Sequence, residues 1–227
     1  MHNRRTYRYE THLHTYPVSK CAHKGVREAL LFYKVLGYDG VFITNHFIDG
    51  NINMDRSSPY EALINFYFSD YEEGVKIGEE IGISVFCGVE LSYKGTDFLV
   101  YGLDKEWFLS HSEICDMKKS QQLQLFRDNG ALVIQAHPFR EASYIDHIRL
   151  FPRCIDGVEI YNGGCTEFEN EMAERYADQY SLLHFSGTDF HGVKKKYLCG
   201  IETQKIITDV NDFVDIIKSN KAVCFKE

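Results

Sequence analysis

Histidines and acids recur along the chain in short motifs with alternating spacing. His12 and His14 are separated by one residue, and Asp189 and His191 repeat that spacing. Side-chain direction on a β-strand repeats every two residues, so both members of each pair point to the same side if the segment is extended. Each pair is therefore able to chelate one metal ion through imidazole or carboxylate groups.

Other residues of metal-binding type follow apolar runs that predict strands. They are His46, Glu90, His137 and Glu159. In an α/β barrel the carboxyl ends of the strands meet at one rim, where such enzymes have their active sites. Taken singly, the pair of His12 and His14 is better explained as an ordinary feature of a surface strand, but five of the ten histidines fall at predicted strand ends. Imidazole suits zinc, iron and manganese, and carboxylates can bridge two ions. The set therefore predicts a multinuclear transition-metal centre.

Strands and helices that would position these residues alternate along the whole chain. Apolar runs predict strands at 6–13, 41–44, 84–91, 98–103, 132–136, 157–161, 182–186, 202–207 and 222–225. Helical periodicity predicts helices at 26–36, 58–81, 112–128, 167–179 and 210–219. This alternation is typical of βα units that build a parallel sheet.

Length and composition limit the class of protein. The 227 residues contain no repeat or low-complexity linker and predict one domain over 1–227. A net charge of −8 weighs against broad electrostatic binding of nucleic acid. With no long apolar segment and no signal-peptide pattern, we expect a cytoplasmic protein without a membrane partner. The seven cysteines contain no CxxC pair, which argues against a disulfide framework and against a zinc knuckle.

Five motifs together resemble the ordered motifs of the PHP (polymerase and histidinol phosphatase) family. They are HLHT at 12–15, ITNH at 43–46, GVEL at 88–91, AHP at 136–138 and SGTDFH at 186–191. The resemblance runs from about residue 6 to residue 192. It implies an α/β fold, a distorted (β/α)7 TIM-like barrel, with a metal site at the C-terminal ends of the strands. It also implies hydrolysis of phosphoesters.

The resemblance further implies how the ligands divide among the metals. His12 and His14 would bind one metal together with the acids Glu90 and Asp189. Glu90 would bridge to a second metal that also takes His137.

A third metal position would take His46 and His191. Many members of the family add an aspartate or histidine several residues after the HxH motif, and this sequence departs from that pattern. His23 could fill the role, Cys21 is the weaker candidate, and Lys20 could instead supply a positive charge.

Two more positions depart from the family pattern. Asp97 stands where the family commonly has a histidine, and we expect it to be a metal ligand because carboxylate can replace imidazole. Asn45 stands where an aspartate usually precedes the histidine, so it can orient a neighbour but brings no charge. Glu159 is expected to support the site through buried hydrogen bonds rather than as a ligand.

Basic residues near the motifs are candidates for handling a phosphate. Arg140 follows His137 by three residues, and its guanidinium matches phosphate oxygens in a bidentate manner. A surface salt bridge is the alternative for Arg140. The lysines at 194–196 could attract phosphate or nucleic acid, or could simply be solvated. His191 and His23 are the candidates for protonating a leaving group.

These residues lead to one predicted function and three alternatives. We expect hydrolysis of a small phosphomonoester by a metal-bound hydroxide, with two or three divalent ions of zinc, manganese or iron. A PHP-type exonuclease or phosphodiesterase acting on nucleotides or short nucleic acid is the second hypothesis. A non-catalytic metal-binding module is a third. Amidohydrolases also begin with HxH and end with a strand-end aspartate, but they commonly carry a bridging modified lysine where this chain presents Glu90.

Overall fold

The structure, a computed structural model, describes residues 6–193 and 195–227. Its strands are β1 (Tyr7–Leu13), β2 (Gly40–Ile43), β3 (Ser84–Tyr93), β4 (Thr96–Tyr101), β5 (Leu132–Ala136), β6 (Gly157–Asn162), β7 (Leu183–Gly187), β8 (Cys199–Thr203) and β9 (Ala222–Lys226). Its α-helices are α1 (Val26–Val35), α2 (Tyr60–Ile81), α3 (Lys105–Ser110), α4 (Lys119–Asp128), α5 (Glu167–Tyr180) and α6 (Val210–Lys218). A 3-10 helix covers Ser112–Asp116. In the described parts of the chain, no helix combines the length and apolarity needed to span a bilayer.

One sheet connects all of these strands, in the order β7-β6-β5-β4-β3-β2-β1-β8-β9. Pairing is parallel from β1 to β3 and from β5 to β7, whereas β4 is antiparallel to both of its neighbours. The segment after β7 returns to β1, where the N–H of His14 donates to the carbonyl of Phe190 at 2.9 Å. The sheet therefore curves into a nearly closed barrel, which confirms the predicted α/β barrel class.

The number of strands differs from the expected seven, because nine strands lie in the described sheet. The additional pair is β8 and β9, which are antiparallel to each other and extend the sheet from the edge of β1. The predicted strand at 202–207 is placed too late, since β8 ends at Thr203. The chain then turns towards α6, whose first turn is capped by the side chain of Asp209.

The predicted helix over 112–128 is wrong in its first half. Met117 and Lys118 have extended backbone angles that separate the 3-10 helix from α4. The sequence analysis also missed α3. Asp104 caps that helix by accepting a hydrogen bond from the N–H of Trp107 at 2.8 Å, and an aspartate before a short apolar run is a signal that could have located it.

We call the end of the barrel where β1, β2 and β5 to β7 finish the rim. Glu90 lies inside β3 and does not end it, because β3 continues for three more residues into its hairpin with β4. Since β4 runs in the opposite direction, its first residues lie at the rim, where Asp97 pairs with Ala136 at the end of β5. An antiparallel strand thus adds its N-terminal residue to the same rim.

The opposite end of the barrel is filled by aromatic side chains. We call this group the basal cluster, and its members are Phe42, Phe86, Tyr101, Phe185 and Phe213. Phe213 comes from α6, and its ring centroid lies 4.1 Å from that of Phe42 and 5.1 Å from that of Tyr101. Helix α6 therefore closes the barrel with an apolar plug at the end remote from the metal motifs.

Candidate metal centre

The end of β1 places two fully buried imidazoles inside the barrel. The Nε2 atoms of His12 and His14 are 3.1 Å apart. Glu90 of β3 approaches both, with Oε1 at 3.0 Å from His12 Nε2 and Oε2 at 3.4 Å from His14 Nε2. Asp189, just after β7, places Oδ1 at 3.6 Å from His12 Nε2 and 3.4 Å from His14 Nε2.

A second group lies towards β4 and β5. His137, directly after β5, has Nε2 at 3.4 Å from Glu90 Oε1 and 4.0 Å from Asp97 Oδ2. Glu90 therefore faces His12 and His137 with the same oxygen. This arrangement suits a carboxylate that bridges two ions.

A third group consists of imidazoles. The donor atoms of His14, His46 and His191 all lie within 4.8 Å of one another. His46 Nδ1 is 2.7 Å from Glu90 Oε2, and His191 Nδ1 is 3.3 Å from Asp189 Oδ1.

The structure brings together every residue that the sequence nominated as a ligand. We call this set the donor cluster, and its members are His12, His14, His46, Glu90, Asp97, His137, Asp189 and His191. Within these three groups, four overlapping triplets of residues have donor atoms that all lie within 4.8 Å of one another. Metal ligation by these side chains is a prediction, and the spacing and the protonation of the donor atoms bear on it.

Spacing within the donor cluster fits divalent metal ions. Ligand atoms bound at about 2.0–2.1 Å around a tetrahedral ion lie about 3.3 Å from each other. The contacts of His12 and His14 with Glu90 and Asp189 span 3.0–3.6 Å. His46 Nδ1 and Glu90 Oε2 are buried and close, but among the described residues neither atom has a hydrogen-bond partner of acceptable geometry. Such atoms are suited to a shared cation.

Electrostatic interactions give Glu90, Asp189 and His14 the protonation states that a metal requires, whereas the neighbouring carboxylates raise the pKa of His12 and His46 against the effect of burial. Burial alone would raise the pKa of Glu90, but the surrounding histidines, first His46 and then His12, hold it well below its usual range. Arg140 and His12 do the same for the buried Asp189. Burial and the neighbouring His191 lower the pKa of His14, which therefore stays neutral. Ionised carboxylate and neutral imidazole are the forms that bind metal.

Asp97 has a different electrostatic environment from these two acids. Its burial, followed by the charge of Glu90, raises the pKa of its carboxyl above the ordinary value. A cation placed between the two carboxylates would relieve this repulsion. Asp97 is therefore suited to metal binding in the place where the family has a histidine.

Two non-glycine ligands have an unusual backbone. His137 has φ 28° and Asp189 has φ 55°, both in the left-handed region that side chains rarely adopt. Strain of this kind collects at functional sites and persists only where the surroundings enforce it. Gly187 lies close to β1, because a Cβ at that position would be 2.5 Å from the Cβ of His12. Glycine thus permits β7 to approach β1 and deliver Asp189.

Glu159 orients two of the ligands, as the sequence analysis expected. Its Oε1 is 2.9 Å from His12 Nδ1. Its Oε2 accepts hydrogen bonds from the backbone N–H of His137 at 3.0 Å and from Asn162 Nδ2 at 2.8 Å. A carboxylate on the far nitrogen of a ligating histidine fixes the tautomer and the ring plane.

Asn45 also orients the cluster rather than joining it. Its Oδ1 accepts hydrogen bonds from the N–H of Thr15 and from Ser19 Oγ, both at 2.7 Å. Ser19 Oγ in turn lies 3.2 Å from His14 Nδ1. The sequence analysis did not identify Ser19, since no pattern marks a loop serine as the hydrogen-bond partner of a histidine five residues before it.

Glu10 is a supporting residue that the sequence analysis missed. It is completely buried, and its Oε1 accepts hydrogen bonds from the N–H groups of His12 and Thr188, each at 2.8 Å. It thereby ties the end of β1 to the segment that carries Asp189. Burial raises its pKa to about 7. The alternation of Glu10, His12 and His14 on one face of β1 was the available signal.

The three candidates for completing the third group lie in different places. His23 and Lys20 are exposed, and none of the described side chains hydrogen-bonds to the ring of His23. Cys21 is half-buried, and its thiol lies beside the rings of His191 and His46. Burial would raise the pKa of Cys21, but hydrogen bonding to these histidines lowers it to about 6. Of the three candidates, Cys21 is thus the one in contact with these histidines, but it belongs to none of the groups of the donor cluster.

Two cations border the donor cluster at Asp189. Arg140 Nη2 is 2.5 Å from Asp189 Oδ2 and donates to Asn162 Oδ1 at 2.9 Å, so Arg140 pairs with the cluster rather than with a surface acid. Lys195 Nζ is 3.9 Å from Asp189 Oδ2. The side chains of Arg140 and Lys195 remain 20% and 18% exposed. Of the predicted lysine run, residue 194 lies outside the described residues.

A cleft with a volume of about 680 Å³ lies near the cluster, although no member of the donor cluster lines it. It runs from Phe47, which follows His46, to Ser92 and Tyr93 at the end of β3. Ser92 also interacts with the side chain of Asp97. The cleft is mostly apolar and has the size of a pocket for a small organic molecule.

Neither a protein-family model nor any curated protein matches the sequence, whereas several solved structures match the fold. A two-domain protein from Bacteroides vulgatus, described as containing a predicted PHP-like metal-dependent phosphoesterase, has a TM-score of 0.68 and 14% identity over 97% of this chain. This chain spans 65% of that protein. A candidate metal-dependent phosphoesterase from Bifidobacterium adolescentis has a TM-score of 0.56 and 14% identity, with 92% and 94% of the two chains covered.

A further match is an amidohydrolase from Chromobacterium violaceum, whose structure contains sulfate and no metal. Its TM-score is 0.52 at 13% identity, with 81% of this chain and 87% of that chain covered. At such low identity these similarities concern the fold. The resemblance inferred from the five motifs is confirmed at that level: the chain has the barrel fold of proteins described as PHP-like metal-dependent phosphoesterases.

Proposed function

We propose that this protein is a metal-dependent phosphoesterase that hydrolyses a phosphomonoester of a small molecule. The observation that carries the proposal is that a donor cluster with metal-like spacing shares Asp189 with two cations, Arg140 and Lys195. Ligands for metal ions and groups for a phosphate are thus adjacent on one rim.

The donor cluster supplies the ionic part of this chemistry. Divalent ions bound there would lower the pKa of water towards neutrality and stabilise negative charge on phosphoryl oxygens. Glu90 and Asp189 are buried, ionised and surrounded by imidazoles. Metal ions bound by them would place positive charge where the phosphate binds. His12 is kept in place by Glu159 on its other nitrogen.

Arg140 is suited to bind the phosphate itself. Its guanidinium is held by Asp189 and Asn162, and the orientation is therefore set before the substrate binds. The planar fork can direct two parallel hydrogen bonds to phosphate oxygens. Lys195, on the other side of Asp189, adds a second positive charge without fixed geometry.

The two candidates for protonating the leaving group, His191 and His23, have different roles in this proposal. His191 Nδ1 lies 3.0 Å from the carbonyl oxygen of Asp189, which makes Nδ1 the protonated nitrogen. Nε2 then carries a lone pair and acts as a ligand rather than as an acid. The exposed His23, whose backbone N–H donates to the carbonyl of His191 at 2.8 Å, is left as the proposed donor to the leaving group.

A compact substrate agrees with the surroundings of the site. The net charge of −8 disfavours a long polyanion. The cleft beside Ser92 and Tyr93 offers room for the organic part of a small phosphoester. We therefore rank a small phosphomonoester above nucleic acid.

An assay of four substrates tests the proposal. Protein stripped by a chelator is reloaded with zinc, manganese or iron. It is then offered p-nitrophenyl phosphate, bis(p-nitrophenyl) phosphate, a single-stranded oligonucleotide and a lactone. We expect the monoester to react fastest, and only with metal present. Preference for the diester or oligonucleotide would favour a nuclease, and a metal-loaded protein that cleaves none of them would contradict the proposal.

An amidohydrolase is the second candidate, because one structural neighbour is described as such. In this chain the central acid of the cluster is Glu90, which contacts imidazoles of all three groups. The bound sulfate of that neighbour has the tetrahedral shape of phosphate. Both points favour phosphoester hydrolysis, and the lactone in the assay separates the two activities.

Replacing Arg140 tests the phosphate-binding step. Arg140→Ala removes a charge-assisted hydrogen bond worth about 1.5–3 kcal/mol, so kcat/KM for the monoester should fall by about 10–100-fold with KM rising. Arg175→Ala is the matched control, since Arg175 is an exposed residue of α5 with one loose ion pair. Equal kinetics for the two variants would remove Arg140 from the mechanism.

A further inference from the structure

The hydrogen bond on the far nitrogen of His14 differs in kind from those of two other histidines of the donor cluster. His12 Nδ1 lies 2.9 Å from a carboxylate oxygen of Glu159, and His191 Nδ1 lies 3.0 Å from a backbone carbonyl oxygen. Carboxylate and carbonyl oxygens accept hydrogen bonds, so each fixes a proton on Nδ1. His14 Nδ1 instead lies 3.2 Å from the hydroxyl of Ser19, and a hydroxyl can donate as well as accept. The serine alone therefore leaves the position of the ring proton open.

The proton of the Ser19 hydroxyl is already used by Asn45. The backbone N–H of Thr15 lies 2.7 Å from the side-chain amide of Asn45, and because an N–H can only donate, the amide atom that it meets is Oδ1. Ser19 Oγ lies 2.7 Å from the same oxygen and donates its single proton to it. Ser19 Oγ can then only accept from its other neighbours, which are the N–H of His46 at 3.0 Å and Nδ1 of His14. The proton of His14 is therefore on Nδ1.

Asp70 of α2 holds the amide of Asn45 from its other end. Asn45 Nδ2 donates to Asp70 Oδ2 at 3.2 Å and to Thr15 Oγ1 at 2.9 Å. Thr15 Oγ1 donates to the same carboxylate oxygen at 2.6 Å. Burial raises the pKa of Asp70, and the hydrogen bonds that it accepts oppose that rise. A flipped amide would place Oδ1 of Asn45 against Oδ2 of Asp70, so the orientation of the amide is fixed at both ends.

Bulk solvent offers no other partner to this group. His14, Thr15 and Ser19 are completely buried, and Asn45 and Asp70 are 1% and 2% exposed. The order of donors and acceptors is therefore set by the protein alone.

The consequence for the donor cluster lies on the other nitrogen of His14. A neutral imidazole carries one proton, so a protonated Nδ1 leaves the lone pair on Nε2. His14 Nε2 lies 3.4 Å from both Glu90 Oε2 and Asp189 Oδ1. The lone pair that a metal needs is thus on the atom that faces the cluster.

We propose that Ser19 and Asn45 are positioning residues that fix the tautomer of His14, and that Asp70 holds Asn45 in place for this role. If the oxygen of Asn45 were removed, the hydroxyl of Ser19 would regain a free proton. It would then donate to His14 Nδ1 and shift the ring proton to Nε2, where it blocks a metal. The proposal deepens the function argued above, and it rests on that function only for the expectation that His14 binds a metal.

The first test observes the tautomer directly in the metal-free, full-length protein. A protonated ring nitrogen and one with a lone pair have well-separated nitrogen chemical shifts in NMR spectra, and His14→Gln identifies the signals of His14 by their loss. We expect the wild type to carry the proton on Nδ1, and Asn45→Ala to carry it on Nε2. Any other protonation of His14 in the wild type would overturn the proposal, as would an unchanged tautomer in Asn45→Ala.

A double variant separates a fixed tautomer from simple packing. Asn45→Ala should weaken zinc binding by about 10–100-fold in competition with a chelator, the range for partners of a ligating histidine. Adding Ser19→Ala removes the hydroxyl that donates to the wrong nitrogen, so the double variant should bind zinc more tightly than Asn45→Ala alone. Residues that only pack would give the opposite order, with the double variant weaker. That order, or equal affinities, would contradict the proposal.

Asp70 is tested by a pair of substitutions. Asp70→Ala should give a mixture of the two tautomers of His14, whereas Asp70→Asn, which keeps an oxygen for Asn45 Nδ2, should restore the wild-type tautomer. A wild-type tautomer in Asp70→Ala would show that Asp70 has no such role. Asn211→Ala is the matched control, because Asn211 is exposed on α6 at the base of the barrel, and it should match the wild type in both measurements. Circular dichroism of each variant checks that it is folded.

These readouts need no hydrolysis, so they distinguish this proposal from the proposed function. A protein with the expected tautomers and no phosphoesterase activity would refute the function and leave the role of Ser19 and Asn45 standing. An active phosphoesterase whose metal-free His14 carries its proton on Nε2 would do the reverse.

Discussion

The rim and the base of the barrel are both buried, yet they are built from opposite kinds of side chain. The rim buries Glu90 and Asp189 within 4 Å of His12 Nε2, while the base packs Phe42 against Phe213. Burial of apolar surface stabilises a fold by about 25 cal/mol per Å². Burial of charge costs free energy unless partners compensate it. The base therefore stabilises the barrel, and this stability offsets the free-energy cost of burying charged side chains at the rim.

Backbone conformation shows the same contrast. The described non-glycine residues with left-handed φ are Lys94, His137, Ser181, Asp189 and Asn220. Three of them lie in turns or at helix ends, and the other two are candidate ligands at the rim. Glu159 holds the N–H of His137 and Arg140 holds the carboxylate of Asp189, so the surroundings enforce both conformations.

Glu90→Gln should have the largest effect on the rim and almost none on the fold. The substitution keeps the shape of the side chain but removes the negative charge shared by the three groups of the cluster. Metal ions contribute several kcal/mol to transition-state stabilisation, so phosphomonoester hydrolysis should fall by at least about 1000-fold. Metal content by mass spectrometry and kcat/KM would check it. A variant that retained its metal and its rate would show that Glu90 is not a ligand.

Phe213→Ala should have the complementary effect. Phe213 is completely buried, and its ring contacts those of Phe42, Tyr101 and Phe185. Truncation should lower the free energy of unfolding by about 3–5 kcal/mol, because it leaves a cavity at the base. Metal content and kcat per folded molecule should stay unchanged.

Phe168 provides the matched control for that measurement, since it is a phenylalanine of α5 that is 65% exposed. Phe168→Ala should change stability by no more than about 0.5 kcal/mol in urea unfolding. If Phe213→Ala also abolished metal binding in the folded protein, metal binding at the rim would depend on packing at the base, and the two regions would not be independent.

The clustering of the candidate ligands at the rim was predictable from sequence because the signal is local. In a barrel, every histidine or acid that follows a strand lies at the same rim as the others. This rule predicted the rim position even of His46 and Asp189, which are far apart in the chain. Asp97, which the family resemblance nominated, lies beside Glu90 and His137 although β4 is antiparallel, because an antiparallel strand begins where its neighbours end. The sequence did not reveal that reversal.

Residues that depend on loop folding were not predictable in the same way. Cys21 and Ser19 reach the histidines only because the loop after β1 turns inward through specific backbone hydrogen bonds. Periodicity carries no information on such a turn. Glu10 was different, since its position two residues before His12 put it on the same face of β1. The basal aromatic cluster was not identified from the sequence, because the contact of α6 with the barrel depends on long-range packing.

The smallest of the expected effects concerns Glu159, which joins the rim to the barrel wall. Its carboxylate contacts His12 Nδ1 and accepts the N–H of His137, so it touches two candidate ligands without a place in the donor cluster. Glu159→Gln keeps the size of the side chain and removes the charge. Partners of ligating histidines typically contribute about 10–100-fold to metal affinity, and we expect a loss in that range.

The Glu159→Gln measurement distinguishes a positioning residue from a ligand. Titration with a competing chelator should show weaker binding at an unchanged number of ions per chain, and saturating metal should restore most of kcat. Glu171→Gln, on the exposed face of α5, is the control and should bind metal like the wild type. Loss of a whole ion in Glu159→Gln would make Glu159 a ligand. An unchanged affinity would mean that the barrel wall alone, through Gly187 and Glu10, fixes His12 at the rim.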